Sequence, residues 1–392
     1  MTNSVQILGL SATEIDASGA HWTAREITQQ PPLWTRIAQR VTQDAPLNEF
    51  VRARLSEPRA RVLLSGAGTS SFIGESLAPA LVRAGLRAQA VPTTDLVTSP
   101  LSALVPGEPT LMVHFARSGN SPESLAALEL AEQLAEGCAH LVVTCNANGE
   151  LYRRTQGLQR ARCLLLPECD DRGFAMTSSF SGMLLGAALA LGAIPADSAR
   201  AEALAALGAQ VLSKWVPLVN QLVRAQFDRV VYLGSNELKG LAREAALKML
   251  ELTDGRVVSV GESPLGFRHG PKTLLNGGTL VVFLLSNEPH TRRYELDVLN
   301  ELRRDGVAGR VLALSNQAEL PGGGDDVVLS AGKHDGCALG DLELSLPYVV
   351  LVQTLAVLRS LSLGLTPDTP NAAGKVHRVV QGVSIYPFVR RL

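Results

Sequence analysis

From residue 61 onward, short apolar runs alternate with longer stretches whose apolar positions recur at helical spacing. Arg61–Ser65, Arg87–Val91, Thr110–Phe115, His140–Thr144 and Cys163–Leu166 read as five strands, with helices to about Arg83, over 122–136 and over Thr177–Leu191. Residues 199–226 read as one long helix, bent near Pro217, that joins two halves. The pattern then restarts, with strands at Arg229–Gly234, Val257–Val260, Thr279–Ser286, 310–315 and 326–330, and helices at Asn236–Thr253, 290–304 and 342–363. Ahead of this alternation, residues 1–24 are weakly patterned and predict an arm or short helix. Pro31 and Pro32 are expected to interrupt a helix there, and Leu33, Trp34, Ile37 and Val41 recur at helical spacing, resumed by Phe50, Val51 and Leu55. Strands alternating with helices predict an α/β fold of parallel sheets covered on both faces.

The strand–turn–helix pattern at Val62 to Ser70 is echoed at Val230 to Asn236, and the position of Phe115 to Ser121 is echoed by Leu284 to His290, so the halves read as a duplicated unit. Only the first copy carries two Gly/Ser loops, Gly66 to Ser71 and Arg117 to Ser121. Each follows a strand and opens a helix, with Ser121 and Pro122 suited to the N-cap and first helical positions. Helix N-termini favour anions, and ligands of open α/β sheets bind where neighbouring loops face each other beyond the strand ends. Gly66-x-Gly68 is also a partial dinucleotide fingerprint, but Ser71 replaces its third glycine and no acid closes the strand near Val91. Turn and cap duty alone remains the bland alternative for Ser70, Ser118 and Ser121.

In the second half, Glu244, Lys248 and Glu251 share one helix face, and Leu238, Leu241, Ala245 and Leu252 another. An exposed salt-bridge ladder accounts for that spacing, as does a carboxylate base oriented by an ammonium. His269 sits in Gly266-Phe267-Arg268-His269-Gly270-Pro271-Lys272, a constrained loop, and histidine moves protons near neutral pH. His114 and His140, in or beside strands, read as structural, and Lys375 lies in the Pro/Gly/Asn-bearing tail.

Composition narrows the partners. The chain of 392 residues has 36 Lys+Arg against 37 Asp+Glu, a balance unlike a nucleic-acid surface. The five cysteines, Cys138, Cys145, Cys163, Cys169 and Cys337, lack CxxC spacing and read as free thiols of a reducing, cytoplasmic compartment. Met1 to Ala20 has no basic start and carries Glu14 and Asp16, so no signal peptide is expected; Leu344–Leu358, with Pro347 and Gln353, reads as a buried helix rather than a membrane span.

Together these pieces resemble the SIS (sugar isomerase) family, in particular the isomerase half of glucosamine-6-phosphate synthase. Arg25-Glu26-Ile27-x-x-Gln30-Pro31 looks like the family's entry motif, Gly68-Thr69-Ser70 and Ser118-Gly119-x-Ser121 like its sugar-phosphate loops, and Glu244-x-x-x-Lys248-x-x-Glu251 and His269-Gly270-Pro271 like its catalytic helix and ring-opening loop. The resemblance implies two tandem flavodoxin-like SIS domains, at 56–198 and 227–365, flanked by an N-terminal segment (1–55), a linker helix (199–226) and a tail (366–392) that closes the active site. It further implies a homodimer with a shared site, a small sugar phosphate as ligand, and no metal or other cofactor, nucleic acid or membrane. Ser70, Ser118 and Ser121, with Gly68 and Thr69, would hold the phosphate, Thr177 would lie nearby, and Arg117, where the synthase has glutamine, could add a charged contact. Glu251 would shuttle the proton between C1 and C2 beside Lys248, His269 would assist ring opening, and Lys375 aligns with a Schiff-base lysine. Met176 replaces a sugar-binding serine.

The chain carries no glutaminase domain, so the resemblance implies release of ammonia rather than its capture, and the tail with Arg378-Val-Val-Gln-Gly-Val looks most like the AgaS-type galactosamine-6-phosphate deaminase/isomerases. The expected reaction yields tagatose 6-phosphate and ammonium, and is expected to class as a hydrolase as well as an isomerase. Glucosamine 6-phosphate as substrate, simple isomerisation, and a non-catalytic sugar-phosphate sensor remain the alternatives.

Overall fold

The computed structural model describes residues 6–318, 320, 326–334, 336–380 and 382–389. Residues 1–5 of the expected arm, and Gln381 and residues 390–392 of the expected tail, lie outside them. The weakly patterned start folds into a small antiparallel hairpin, β1 (Gln6–Ile7) and β2 (Leu10–Ser11), and two helices, Ala12–Ala17 and His21–Thr28. Pro31 and Pro32 do not interrupt a helix; they open one, Gln30–Gln43. Proline is tolerated in a first turn because no intrahelical bond needs its missing N–H.

The first sheet comprises β3 (Arg61–Ser65), β4 (Arg87–Ala90), β5 (Thr110–Ala116), β6 (Ala139–Thr144) and β7 (Ala161–Leu165), in the order β4-β3-β5-β6-β7. The second comprises β8 (Arg229–Gly234), β9 (Val258–Glu262), β10 (Thr279–Leu284), β11 (Arg310–Ser315) and β12 (Val327–Val328), in the order β12-β11-β10-β8-β9. Every pairing in both is parallel. Counted from its own first strand, each sheet runs 2-1-3-4-5, the flavodoxin-like doubly wound order. Tandem SIS-type domains are therefore present as expected. The compact units built around them are not continuous in sequence: one gathers Met1–Arg36, Asp171–Ser181 and Asp197–Ala373, the other Ile37–Asp170, Gly182–Ala196 and Gly374–Leu392.

The duplication extends to backbone detail. Gly66 directly follows β3 and Gly234 ends β8, and a Cβ there would lie 2.6 Å from Ser70 backbone and 2.4 Å from the Leu238 carbonyl oxygen respectively. Two positions on, Gly68 (φ 55°, ψ −127°) and Asn236 (φ 49°, ψ −118°) adopt the same conformation at the helix N-cap. Each copy thus makes the same tight turn from strand into helix.

Helix placement follows from the crossovers. Gly74 of helix Thr69–Arg83 abuts Leu64 and Ala90, whereas helix Pro122–Leu134 packs on Leu63 and Met112, the opposite sheet face. In the second copy, helix Glu237–Leu252 sits on the face of Ser259 and Gly261, against helix Asp341–Ser362. Phe267 of helix Pro264–Arg268 joins Val231, Leu233, Val281 and Phe283 on the other face. Asp341–Ser362 is long and apolar enough to cross a membrane by composition, and 94% of its apolar window is buried within the fold. The expected linker helix runs as Ser198–Gln210 and Val216–Arg224, with a π turn at Val211–Trp215. Pro217 explains the widened turn, since it cannot donate back into the preceding one. Helices Thr93–Thr98 and Glu150–Gln156 lack a clear sequence signal because each is under two turns long.

Gly66→Ala should cost about 1–3 kcal/mol, because the new methyl meets fixed backbone rather than a movable side chain. Thermal unfolding followed by circular dichroism will read it as a lowered Tm, and an unchanged Tm would contradict the close approach.

Candidate active site

The two Gly/Ser loops leave the C-terminal ends of β3 and β5, which are adjacent, with Ser65 opposite His114. Their helices lie on opposite faces, so the loops flank the point where the winding reverses. Ser70 and Thr69 are buried in the first turn of helix Thr69–Arg83, while Gly68 is exposed. In the second loop, Ser121 caps helix Pro122–Leu134, its hydroxyl accepting from the Ser124 N–H at 3.2 Å. Ser118 is half-buried; its carbonyl accepts from the Asn146 amide at 2.9 Å and that of Gly119 from the Leu151 N–H at 2.9 Å. Gly119, at φ 65°, allows the loop to turn back between those two holds. The loop is therefore pinned from behind, with its N-terminal helix end unobstructed by any acidic N-cap.

Arg117 is buried, and Nη2 of its guanidinium donates to the Arg378 carbonyl in the tail at 3.4 Å. Lys375 lies three residues before that carbonyl and is exposed, in the same compact unit as the loops.

Glu251, Lys248, Glu244, His269 and Thr177 belong to the other unit. The exposed-ladder alternative for the helix is excluded, since Glu244 and Lys248 are 0% exposed. Lys248 Nζ lies 3.6 Å from Glu244 Oε1 and donates to the Glu251 carboxylate, whose side chain is 27% exposed. A buried ammonium thus orients the one of the two carboxylates that reaches the surface. His269 is exposed, ends helix Pro264–Arg268, and precedes Gly270 at φ 126°; flanking Arg268 and Lys272 are held by Glu301. Glu251 and His269 issue from helices on opposite faces of the second sheet, so that sheet does not bring them together.

Thr177 is buried, and its N–H and hydroxyl both donate to Asp171, at 2.7 and 3.0 Å. Asp171 takes the same pair of donors from Ser178 and from Ser179, six hydrogen bonds in all. The phosphate-type donors of this helix start are therefore committed to an internal carboxylate. Sequence reasoning missed Asp171; its signal was an acid ahead of the Thr177-Ser178-Ser179 run. Glu26 of the entry motif accepts from the Arg172 N–H and from the Gly173 N–H at 3.2 Å. Burial, with Asp171 close by, pushes its carboxyl up to about 7 against the pull of those donors.

The two strand histidines form a chain: His114 Nε2 and His140 Nδ1 are 3.0 Å apart, and His140 Nε2 meets Glu132 at 2.7 Å. Burial lowers the pKa of both, and of His114 most. Burial also pushes the Cys138 and Cys163 thiols up to about 12, which leaves them unreactive.

The SIS domain family matches residues 54–191. D-galactosamine-6-phosphate deaminase AgaS of Escherichia coli is 42% identical over 381 residues, 96% of this chain and 98% of that protein. The crystal structure of tagatose-6-phosphate ketose/aldose isomerase from Escherichia coli superposes with TM-score 0.84 at 40% identity, covering 94% of this chain and 96% of that one. The C-terminal domain of glucosamine-fructose-6-phosphate aminotransferase from Francisella tularensis shares the fold, with TM-score 0.73 at 16% identity, over 88% of this chain and 97% of that one. The chain belongs to the SIS family, in its AgaS-type branch. The expected hydrolase class is not upheld. The relatives are named as deaminase and isomerase.

Two measurements test this electrostatic arrangement. Lys248→Met should destabilise the fold by about 3–5 kcal/mol by stranding the buried Glu244, and the double variant K248M/E244M should recover most of it, read by chemical denaturation. For Glu26, a folded pKa near 7 against 4.5 unfolded means stability is fully present below pH 4.5 and lost as pH rises to 7. The loss is on the order of 3 kcal/mol. The Tm of E26Q minus that of wild type should therefore rise between pH 5 and 8; a flat difference would remove the shift.

Proposed function

We propose that this chain is a deaminating aldose–ketose isomerase that converts galactosamine 6-phosphate to tagatose 6-phosphate and ammonium. Identity above 40% with a named galactosamine-6-phosphate deaminase along nearly the whole of both chains carries this reading. The paired Ser70 and Ser118–Ser121 loops supply the chemistry for the phosphate: hydroxyls and two helix N-termini at one sheet edge. In this reading Glu251 removes the proton from C2 of the open-chain sugar and returns it to C1. The resulting C2 imine loses its nitrogen to water as ammonium. In this reading His269 opens the ring and Lys375 engages the ketose carbonyl.

Glu251 and His269 lie on opposite faces of one sheet, which supports a homodimer in which a second copy completes the site. The five free cysteines support a cytoplasmic setting. The likeness to a tagatose-6-phosphate ketose/aldose isomerase favours a second reading, isomerisation without loss of nitrogen.

Purified protein with galactosamine 6-phosphate should release ammonium, faster than with glucosamine 6-phosphate. Interconversion of ketose and aldose phosphates without ammonium would establish the second reading. Glu251→Gln should lower kcat by about 10²–10⁴-fold, and a fully active variant would remove the proposed base.

A further inference from the structure

Arg117 stands where the related synthases carry a neutral side chain, and its surroundings give it a task other than touching the ligand. Its backbone is fixed: the carbonyl accepts from the Cys145 N–H at 3.3 Å and the Thr144 hydroxyl at 3.4 Å, at the end of β6. Its side chain is buried under the tail, where Nη2 donates to the Arg378 main-chain carbonyl. The tail has no helix or strand among its described residues, and Lys375 to Arg378 are all exposed. Gly374 at φ 60° and Gly382 at φ 74° bracket this stretch. A second hold lies further on, where the Gln133 amide donates to the Phe388 carbonyl at 3.3 Å and Phe388 packs on the cluster of Leu63, Met112, Leu130 and Leu134. Gln133 belongs to the helix that the Arg117 loop opens. The tail is thus tied at two points to a single loop-and-helix element.

We propose that Arg117 is a positioning residue: it clamps the tail so that Lys375 is presented beside the phosphate loop, and it acts on the reaction through Lys375 rather than by binding phosphate. This deepens the reading of the site proposed above and rests on it for the role of Lys375. The donor is charged and buried and the acceptor is a main-chain carbonyl, so the clamp is indifferent to the side chain at 378. A guanidinium suits this place because its donors are fixed in one plane, unlike the rotating ammonium of lysine.

The experiment compares wild type, R117Q and R378A by kinetics on galactosamine 6-phosphate and by limited trypsin digestion. R117Q should lose about tenfold or more in kcat, with KM and the affinity for inorganic phosphate little changed. Cleavage after Lys375 and Arg378 should speed up by a similar factor. R378A, cut after Lys375, should match wild type in both. A rise in KM and weaker phosphate binding at unchanged kcat would make Arg117 a phosphate ligand and overturn the proposal. Unchanged cleavage in R117Q would overturn it as well, and that arm holds even if wild type turns over no amino-sugar phosphate, the outcome that defeats the functional reading instead. If R117Q melts well below wild type, R117K keeps the cation in the fold and is judged by the same criteria.

Discussion

A helix that starts at the end of a parallel strand leaves backbone N–H groups that need an acceptor, and this fold resolves that demand differently in its two copies. Around β8 and β10 the chain supplies its own anions. Asp341 accepts from the Asn287 N–H at 2.7 Å and from the Ser286 hydroxyl, and Glu295 accepts from the Ser286 N–H at 2.7 Å. Glu288 caps helix Pro289–Asp305, and the His290 and Thr291 N–H groups hold its carboxyl down at about 2. Asp171 does the same for helix Ser178–Ala190. Around β3 and β5 the corresponding caps are neutral, Gly68 and Ser121. Thr69 opens the first helix of that copy where Glu237 opens its counterpart. The helix starts of the two copies therefore differ in the charge that the chain itself places at them.

The second copy also carries buried charge. Lys248 with Glu244 fully enclosed is costly unless paired, and the pairing makes the helix an oriented mount for Glu251. A base on an exposed ladder would share its carboxylate with solvent and with mobile lysines. Here the ammonium is fully buried and donates to the Glu251 carboxylate from the protein side.

Much of this was legible in the sequence. The apolar runs located the strands of both sheets to within a few residues, because parallel strands covered on both faces read as continuous Val/Leu/Ile. The two Gly/Ser loops stood out because glycine and serine there have a stereochemical and a capping reason. What was not legible is burial. Glu244, Lys248 and Glu251 have the same spacing in a solvated ladder and in an enclosed triad, and only the helix Asp341–Ser362 packed against them decides which. Nor does the spacing of Thr177 reveal that its N–H and hydroxyl are both held by Asp171. Pro31 and Pro32 looked like breakers because the position of a helix start cannot be read from proline alone.

The entry motif shows how residues remote in sequence come to depend on one another. Glu26 lies in the last turn of His21–Thr28, and Gln30 begins the next helix. Between them they hold the 171–181 loop at two points. Glu26 takes the N–H groups of Arg172 and Gly173, while the Gln30 amide oxygen accepts from the Ser181 hydroxyl at 2.7 Å and its nitrogen donates to Gln353 at 2.7 Å. Gln353 in turn donates to the Thr177 carbonyl at 3.3 Å. These groups are buried, so leaving any one unpaired costs more than its bond contributes. The network therefore tolerates few alternatives: an acid is required at 26 to meet two main-chain donors, and an amide at 30 to donate and accept at once. The pattern Glu-x-x-x-Gln followed by proline is what remains when one helix must end, another must begin, and both must grip the same loop.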